Sequence, residues 1–327
     1  MTAKGRSRAL DAVAGVRLTC TAPLHLEATV RVLQRRPSNL VDTWDDNRFV
    51  RAFATPEGLV LVAVENHGSI DTPDVRLAFL TGAPSVDTQR RLERTVRKML
   101  ALGMDPAPLQ AAADRVRALR PTAQALRGMR PPRFATLFDA FASVVPFQQL
   151  SLDAGAAIIG RLVQRFGEQV THGDRTYAAF PTANAIAGAR LSALLTCGLS
   201  RSKAESLRYL AKAVEGREVD EQRLAQLGTS DALRELVELP GIGPWSAAVM
   251  LLRGFGRLEV FPPGDSGAQR GLSSLLRLRN PESLARVVER FGDFRGYLYF
   301  CGLGASLLAK GLIQPAPSRP ILSRARG

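Results

Sequence analysis

Cysteine and histidine are scarce, three of each in 327 residues, and each scarcity excludes a kind of chemistry. Cys20, Cys197 and Cys301 are far apart and odd in number, which argues against a disulfide framework and against a zinc site. His25, His67 and His172 stand alone, and each reads as a surface or turn residue rather than a catalytic base or ligand. Long hydrophobic runs are missing too. No stretch approaches the roughly 20 apolar residues of a membrane span. Near the N-terminus, Arg8, Asp11 and Arg17 interrupt the apolar stretches too soon for a signal peptide. A cytoplasmic protein with no membrane contact is expected.

What is present is positive charge and a globular composition. Lys and Arg number 44 against 30 Asp and Glu, a net charge of +14, which suits a polyanionic partner. Hydrophobic residues make up 46% of the chain, enough for a large core in two or three domains. The first ten residues are short and basic and are expected to fray. Residues 1–100 then alternate as strands do. Val16, Leu18 and Cys20 share one face, and 49–54 and 59–64 flank a Pro56-Glu57-Gly58 turn. One helix, roughly Leu26 to Gln34, packs across this antiparallel sheet. From Asp87 onward the periodicity is helical, with Pro131-Pro132 as a boundary signal. Residues 101–313 are expected to be all-helical. The tail 314–327, with three prolines and three arginines, reads as disordered and basic. The fold class is α+β: an N-terminal antiparallel sheet layer with a helix, then a mostly α-helical core.

Residues 237–265 carry the most information. Leu233, Leu236, Val237 and Leu239 make an apolar face at helical spacing. Leu239-Pro240-Gly241-Ile242-Gly243-Pro244-Trp245 then breaks the helix and starts another. Gly241 and Gly243 free the backbone and remove side-chain bulk, and Pro244 suits the first helical position. The unpaired amides of that first turn face an anion. Downstream, Phe261-Pro262-Pro263-Gly264-Asp265 puts one carboxylate in a Pro/Gly-rich turn at the start of a helix. Asp265 can be a helix cap, a reactive carboxylate, or both.

This string resembles the helix-hairpin-helix DNA glycosylases with a Gly/Pro-rich loop and catalytic Asp, and within them the bacterial 3-methyladenine DNA glycosylase II type. Three further segments resemble that family: Val144 to Ser151, Phe180 to Leu207 with its Cys-Gly-Leu-Ser and Lys-Ala-Glu-Ser-Leu strings, and Phe291 to Leu298. The likeness is strong from about Leu137 to Leu303. It implies a hairpin over 233–255, a catalytic loop over 261–266 and Asp265 as the catalytic residue, 20 positions after Trp245. It places Trp245, Phe294, Tyr297 and Gln148 at the base pocket, with core packing the alternative for the aromatics. It gives Gly241, Ile242, Gly243 and Ser246 contact with the DNA backbone. Gln149 or Leu150 would plug the duplex where a base has left it. The family also implies a monovalent cation, sodium or potassium, on the backbone carbonyls of Val237, Leu239 and Ile242. Three cysteines cannot hold the four-cysteine iron–sulfur cluster of some relatives, so no cofactor is expected for catalysis.

The resemblance implies a monomeric bacterial enzyme on the chromosome that acts on damaged double-stranded DNA. Lyase-type members carry a Lys where Trp245 stands, and that Lys forms a Schiff base with the sugar. Tryptophan cannot, so the expected enzyme is monofunctional and uses water. Val249 and Ser266 stand where this type often has tyrosine, so the pocket is less aromatic. Two alternatives stay open: a glycosylase for deaminated or oxidised purines, and a non-catalytic helix-hairpin-helix DNA-binding protein.

Overall fold

The computed structural model describes residues 14–317. The first ten residues and positions 318–327 of the tail lie outside that range. Residues 14–79 form one antiparallel sheet. Its strands are β1 (Ala14–Leu18), β2 (Thr43–Asp45), β3 (Arg48–Thr55), β4 (Gly58–Asn66) and β5 (Val75–Phe79), in the order β1-β5-β4-β3-β2. The expected Pro-Glu-Gly turn joins β3 to β4, with Thr55 paired to Gly58. Helix α1 (Leu26–Gln34) and helix α2 (Val86–Met99) lie against one face. The period of two explains why. Val60, Val62 and Val64 of β4 join the core under those helices, while Leu61 and Ala63 point to the other face.

That other face is covered by an element the sequence reading did not anticipate. Strands β6 (Gln169–His172) and β7 (Arg175–Ala178) form a two-stranded ribbon. Tyr177 and Ala179 pack against Val50, Ala52 and Leu61. The Gly173-Asp174 pair at its tip is a recognisable hairpin turn, but its strands are too short and polar to stand out.

The remaining chain is helical. Helices α3 (Ala107–Asp114) and α4 (Arg120–Ala125) precede α5 (Leu137–Val144) and α6 (Leu152–Phe166). After the ribbon come α7 (Ala183–Ala187), α8 (Leu191–Leu195), α9 (Arg201–Glu215), α10 (Glu221–Gln226), α11 (Thr229–Val237) and α12 (Pro244–Met250). The last three are α13 (Ser266–Leu275), α14 (Pro281–Arg290) and α15 (Tyr297–Ala309). Ser151, Ser200, Asp220 and Asp265 each cap a helix through a side-chain oxygen, which fixes where the elements begin. Helix α12 does not run on as a plain α-helix to Phe255; Leu251–Phe255 is a π-helical turn. Helix α15 starts at Tyr297, after a short 3₁₀ turn over Gly292–Phe294.

Two helical cores flank the site. One joins α3 and α4 to α13, α14 and α15, with Ala28 and Val32 of α1. Helices α3 and α4 thus pack with the helical body, while Leu102 stays in the core under the sheet. The other joins α5, α9, α11 and α12. Arg51 of β3 bridges sheet and helices, donating to Asp42 at 2.6 Å and to Asp139 of α5 at 2.5 Å. The beginning of the tail corrects the expectation of disorder. Gln314 donates its N–H to Glu27, its carbonyl oxygen lies 2.9 Å from His25 Nε2, and the Ala316 N–H donates to Ala125 O. Burial, ahead of the opposing effect of that carbonyl, pulls the pKa of His25 down.

Candidate active site

The hairpin of α11 and α12 is held by buried apolar side chains. Leu236, Ile242, Ala247 and Ala248 enter the second helical core. At the turn, the two glycines have different physical reasons. Gly241 has φ +78°, and a Cβ there would lie 1.8 Å from Ser206 Oγ, so only glycine fits. Gly243 has an ordinary φ of −92°, and a Cβ there would meet nothing within 4 Å. Its surface is open, as an anion seat must be. Ser206 of α9 donates to the Pro240 carbonyl at 2.9 Å and locks the turn from behind.

The loop after the π-helical turn brings Asp265 to α12. Gly264 has φ +66°, and Asp265 follows as the N-cap of α13. Its Oδ1 accepts from the Ala268 N–H at 2.8 Å, and its Oδ2 accepts from the Trp245 indole N–H at 3.0 Å. The Trp245 indole thus aims the carboxylate. Asp265 is half-buried. One carboxylate oxygen caps α13 and the other is steered by Trp245.

Gln148 has a different place from the one expected. Its side-chain amide donates to Gly241 O at 2.7 Å and to Ser246 Oγ at 3.0 Å. It ties the turn before α6 to the hairpin, where the sequence reading put it in the base pocket. Tyr297 is also withdrawn from that expected position. It is buried in the core with Leu298 and Phe300, beside Cys301. Burial drives its hydroxyl pKa well above the ordinary tyrosine value. Phe294 is half-buried against the same core. Val249 is buried in the core that Trp245 packs against.

The turn 145–151 carries a strained tip. Gln149 has φ +54°, a left-handed conformation that costs a non-glycine residue on the order of 1–3 kcal/mol. Gln149 and Leu150 are both exposed. Lys203 of α9 holds the turn from beneath: its ammonium donates to Gln148 O at 2.5 Å and to Pro146 O at 3.4 Å. Partial burial lowers its pKa. Lys203 belongs to the family-like Lys-Ala-Glu-Ser-Leu string, and nothing local marks its bond to Gln148, 55 positions away. We expect Gln149→Ala to slow base extrusion on the order of tenfold, about 1.4 kcal/mol, and most for well-paired lesions. A base-analogue fluorescence assay on Gln149→Ala and Leu150→Ala side by side checks this. If neither variant is slower, the turn is scaffold.

For the cation expected at the hairpin, the carbonyls of Val237, Leu239 and Ile242 are the donors to weigh. Val237 ends α11, so its carbonyl is one of those a helix end leaves without an intrahelical partner. Leu239 O already accepts from the Ile242 N–H at 3.0 Å and keeps a second lone pair. Among the described residues no cluster of three or more His, Cys, Asp or Glu could hold a metal, and no helix is long and apolar enough to cross a membrane.

A helical hairpin with an open glycine thus stands beside a capped and steered carboxylate. The chain matches the family model of the HhH-GPD superfamily base excision DNA repair proteins over residues 142–292 and, ahead of it, that of the AlkA N-terminal domain over residues 15–136. It is 26% identical over 269 residues to DNA-3-methyladenine glycosylase 2 of Escherichia coli, covering 81% of this chain and 88% of that one. It is also similar to the solved 3-methyladenine DNA-glycosylase of Archaeoglobus fulgidus. That match has a TM-score of 0.72 and 25% identity, over 90% of this chain and 99% of the other. An 8-oxoguanine glycosylase/lyase of Clostridium acetobutylicum shares the fold alone. Its TM-score is 0.67 at 15% identity, over 92% of this chain and 99% of that one.

Proposed function

We propose that this protein is a monofunctional DNA N-glycosylase that excises alkylated purines, of the 3-methyladenine kind, from double-stranded DNA. The observation that carries the reading is Asp265, held by Trp245 and the α13 amide beside the open Gly243 turn. Cleaving an N-glycosidic bond passes through an oxocarbenium-like sugar. A fixed carboxylate stabilises that cation where it forms and orients the attacking water. Alkylated purines carry a positive ring and leave with little protonation, so no separate general acid is required. The hairpin seats a DNA phosphate on the amides around Gly243 and Ser246. A sodium or potassium ion on Val237, Leu239 and Ile242 would add positive charge at that seat. The enzyme works as a monomer on the chromosome in the cytoplasm, with Gln149 or Leu150 filling the gap left by the extruded base.

A second reading keeps the same chemistry with another lesion. Val249 is small, and Tyr297 sits in the core, so stacking of electron-poor rings relies on Trp245 and Phe294. Deaminated or oxidised purines then remain candidate substrates.

The monofunctional mechanism has a direct test. With Trp245 in place of a lysine, borohydride should trap no covalent protein–DNA adduct. Strands should break only after alkali or heat. An adduct trapped under mild conditions refutes it.

A further inference from the structure

A cavity of about 80 Å³ lies between α1, α5, α6 and the π-helical turn. Neither Asp265 nor Trp245 lines it. It meets the site only at Phe147, next to Gln148. Its walls include Arg253, Arg35, Phe134 and Phe147, and Leu40 and Leu152 stand exposed at its rim.

Arg253 is 1% exposed, and its Nε and Nη2 have no hydrogen-bond partner. Among the described residues it is the one side chain with two such buried atoms. Its guanidinium lies over the Phe134 ring at 4.6 Å, and the Tyr299 hydroxyl hydrogen-bonds it, which leaves Nε and Nη2 unserved. Arg35 faces it from the end of α1. Arg35 takes φ +62° there, donates to the Tyr299 hydroxyl at 2.6 Å and leaves its own Nε unpartnered. Burial first, and the Arg35 charge second, pull Arg253 down to a pKa of about 9. It still carries its proton at neutral pH.

The nearby carboxylates are committed elsewhere. Asp42 and Asp139 both bind Arg51, and Asp42 reaches Arg253 only through space. Asp153 pairs with Arg36 at 2.5 Å. Asp42 and Asp139 line the cavity together with their partner Arg51, and Arg253 and Arg35 face it without a carboxylate of their own. Leaving buried charge uncompensated is costly. The adjacent Nε and Nη2 of a guanidinium form the fork that grips two oxygens of one oxyanion. A water needs about 10–15 Å³ of such space, so the cavity has room for a small tetrahedral ion.

We infer that this cavity is an oxyanion site of the phosphate class, built by Arg253 and Arg35 between the sheet domain and the helical body. Its occupant rests on Phe147, the residue before the Gln148 brace, and so stiffens the turn that carries Gln149.

Inorganic phosphate is the probe. We expect calorimetric titration of the full chain, at fixed ionic strength set by chloride, to show saturable one-site binding. Arg253→Met and Arg35→Met should each weaken it at least tenfold. Arg35 is half-buried, so its variant keeps the test decisive if the Arg253 change prevents folding. The titration is repeated with undamaged duplex already bound. Loss of phosphate binding there identifies a DNA backbone phosphate as the occupant, and independent binding identifies a free ion. Binding that does not saturate, or that both variants retain, overturns the inference and leaves the cavity to water. No outcome depends on glycosylase activity.

Discussion

Asp265→Asn should lower single-turnover base release by roughly 10²–10³, the usual cost of removing an electrostatic stabiliser, while DNA binding stays close to normal. The amide is nearly the same size but cannot stabilise a sugar cation. The structure adds a second loss. Asp265 accepts two hydrogen bonds, one from the Ala268 N–H and one from the Trp245 indole. An asparagine has one acceptor oxygen. Whichever way its amide turns, an NH₂ faces a donor. Trp245→Phe separates the two effects: it keeps the ring and the carboxylate but removes the steering N–H. We expect it to cost less than Asp265→Asn. Near wild-type excision by Asp265→Asn would remove the carboxylate from the mechanism.

Gly243→Asp should weaken binding to damaged and undamaged duplexes alike. A Cβ at this position meets nothing within 4 Å, and φ is −92°, so the variant folds and its carboxylate projects where phosphate must sit. Two like charges about 4 Å apart at an effective dielectric of about 20 repel by about 4 kcal/mol. A loss of roughly 10²–10³ in affinity is expected at low salt, shrinking as salt rises. Gly243→Ala is the control, with near-normal binding expected. Gly241→Ala is not, because its Cβ would collide with Ser206 and would read out folding. Normal duplex binding by Gly243→Asp in fluorescence anisotropy would show that the hairpin is not the anchor.

The parts of this site legible in the sequence are those made by local chemistry. Gly241, Gly243 and Pro244 mark a turn because their backbone requirements are intrinsic to the residue. Asp265 followed by a helical pattern announces a cap. The sheet and α1 could be read because alternation and helical spacing differ over a few residues. What stayed hidden depends on the approach of distant segments. The bond from Trp245 to Asp265 spans 20 residues, and the Lys203 clamp on Gln148 spans 55. The family likeness aligned Gln148 and Tyr297 with pocket positions. Packing gave Gln148 to the hairpin and Tyr297 to the core, and no local pattern distinguishes those outcomes. Arg253 reads in sequence as an ordinary basic residue on a helix. Only the burial around it makes its charge an energetic problem.

The most direct measurement is to incubate the protein with duplexes carrying alkylated, hypoxanthine or oxidised bases, and to identify released bases by mass spectrometry. The account predicts free 3-methyladenine in solution, an intact strand with an alkali-labile abasic site, and no release by Asp265→Asn. Duplex binding without release of any base would contradict it and leave a helix-hairpin-helix binding protein.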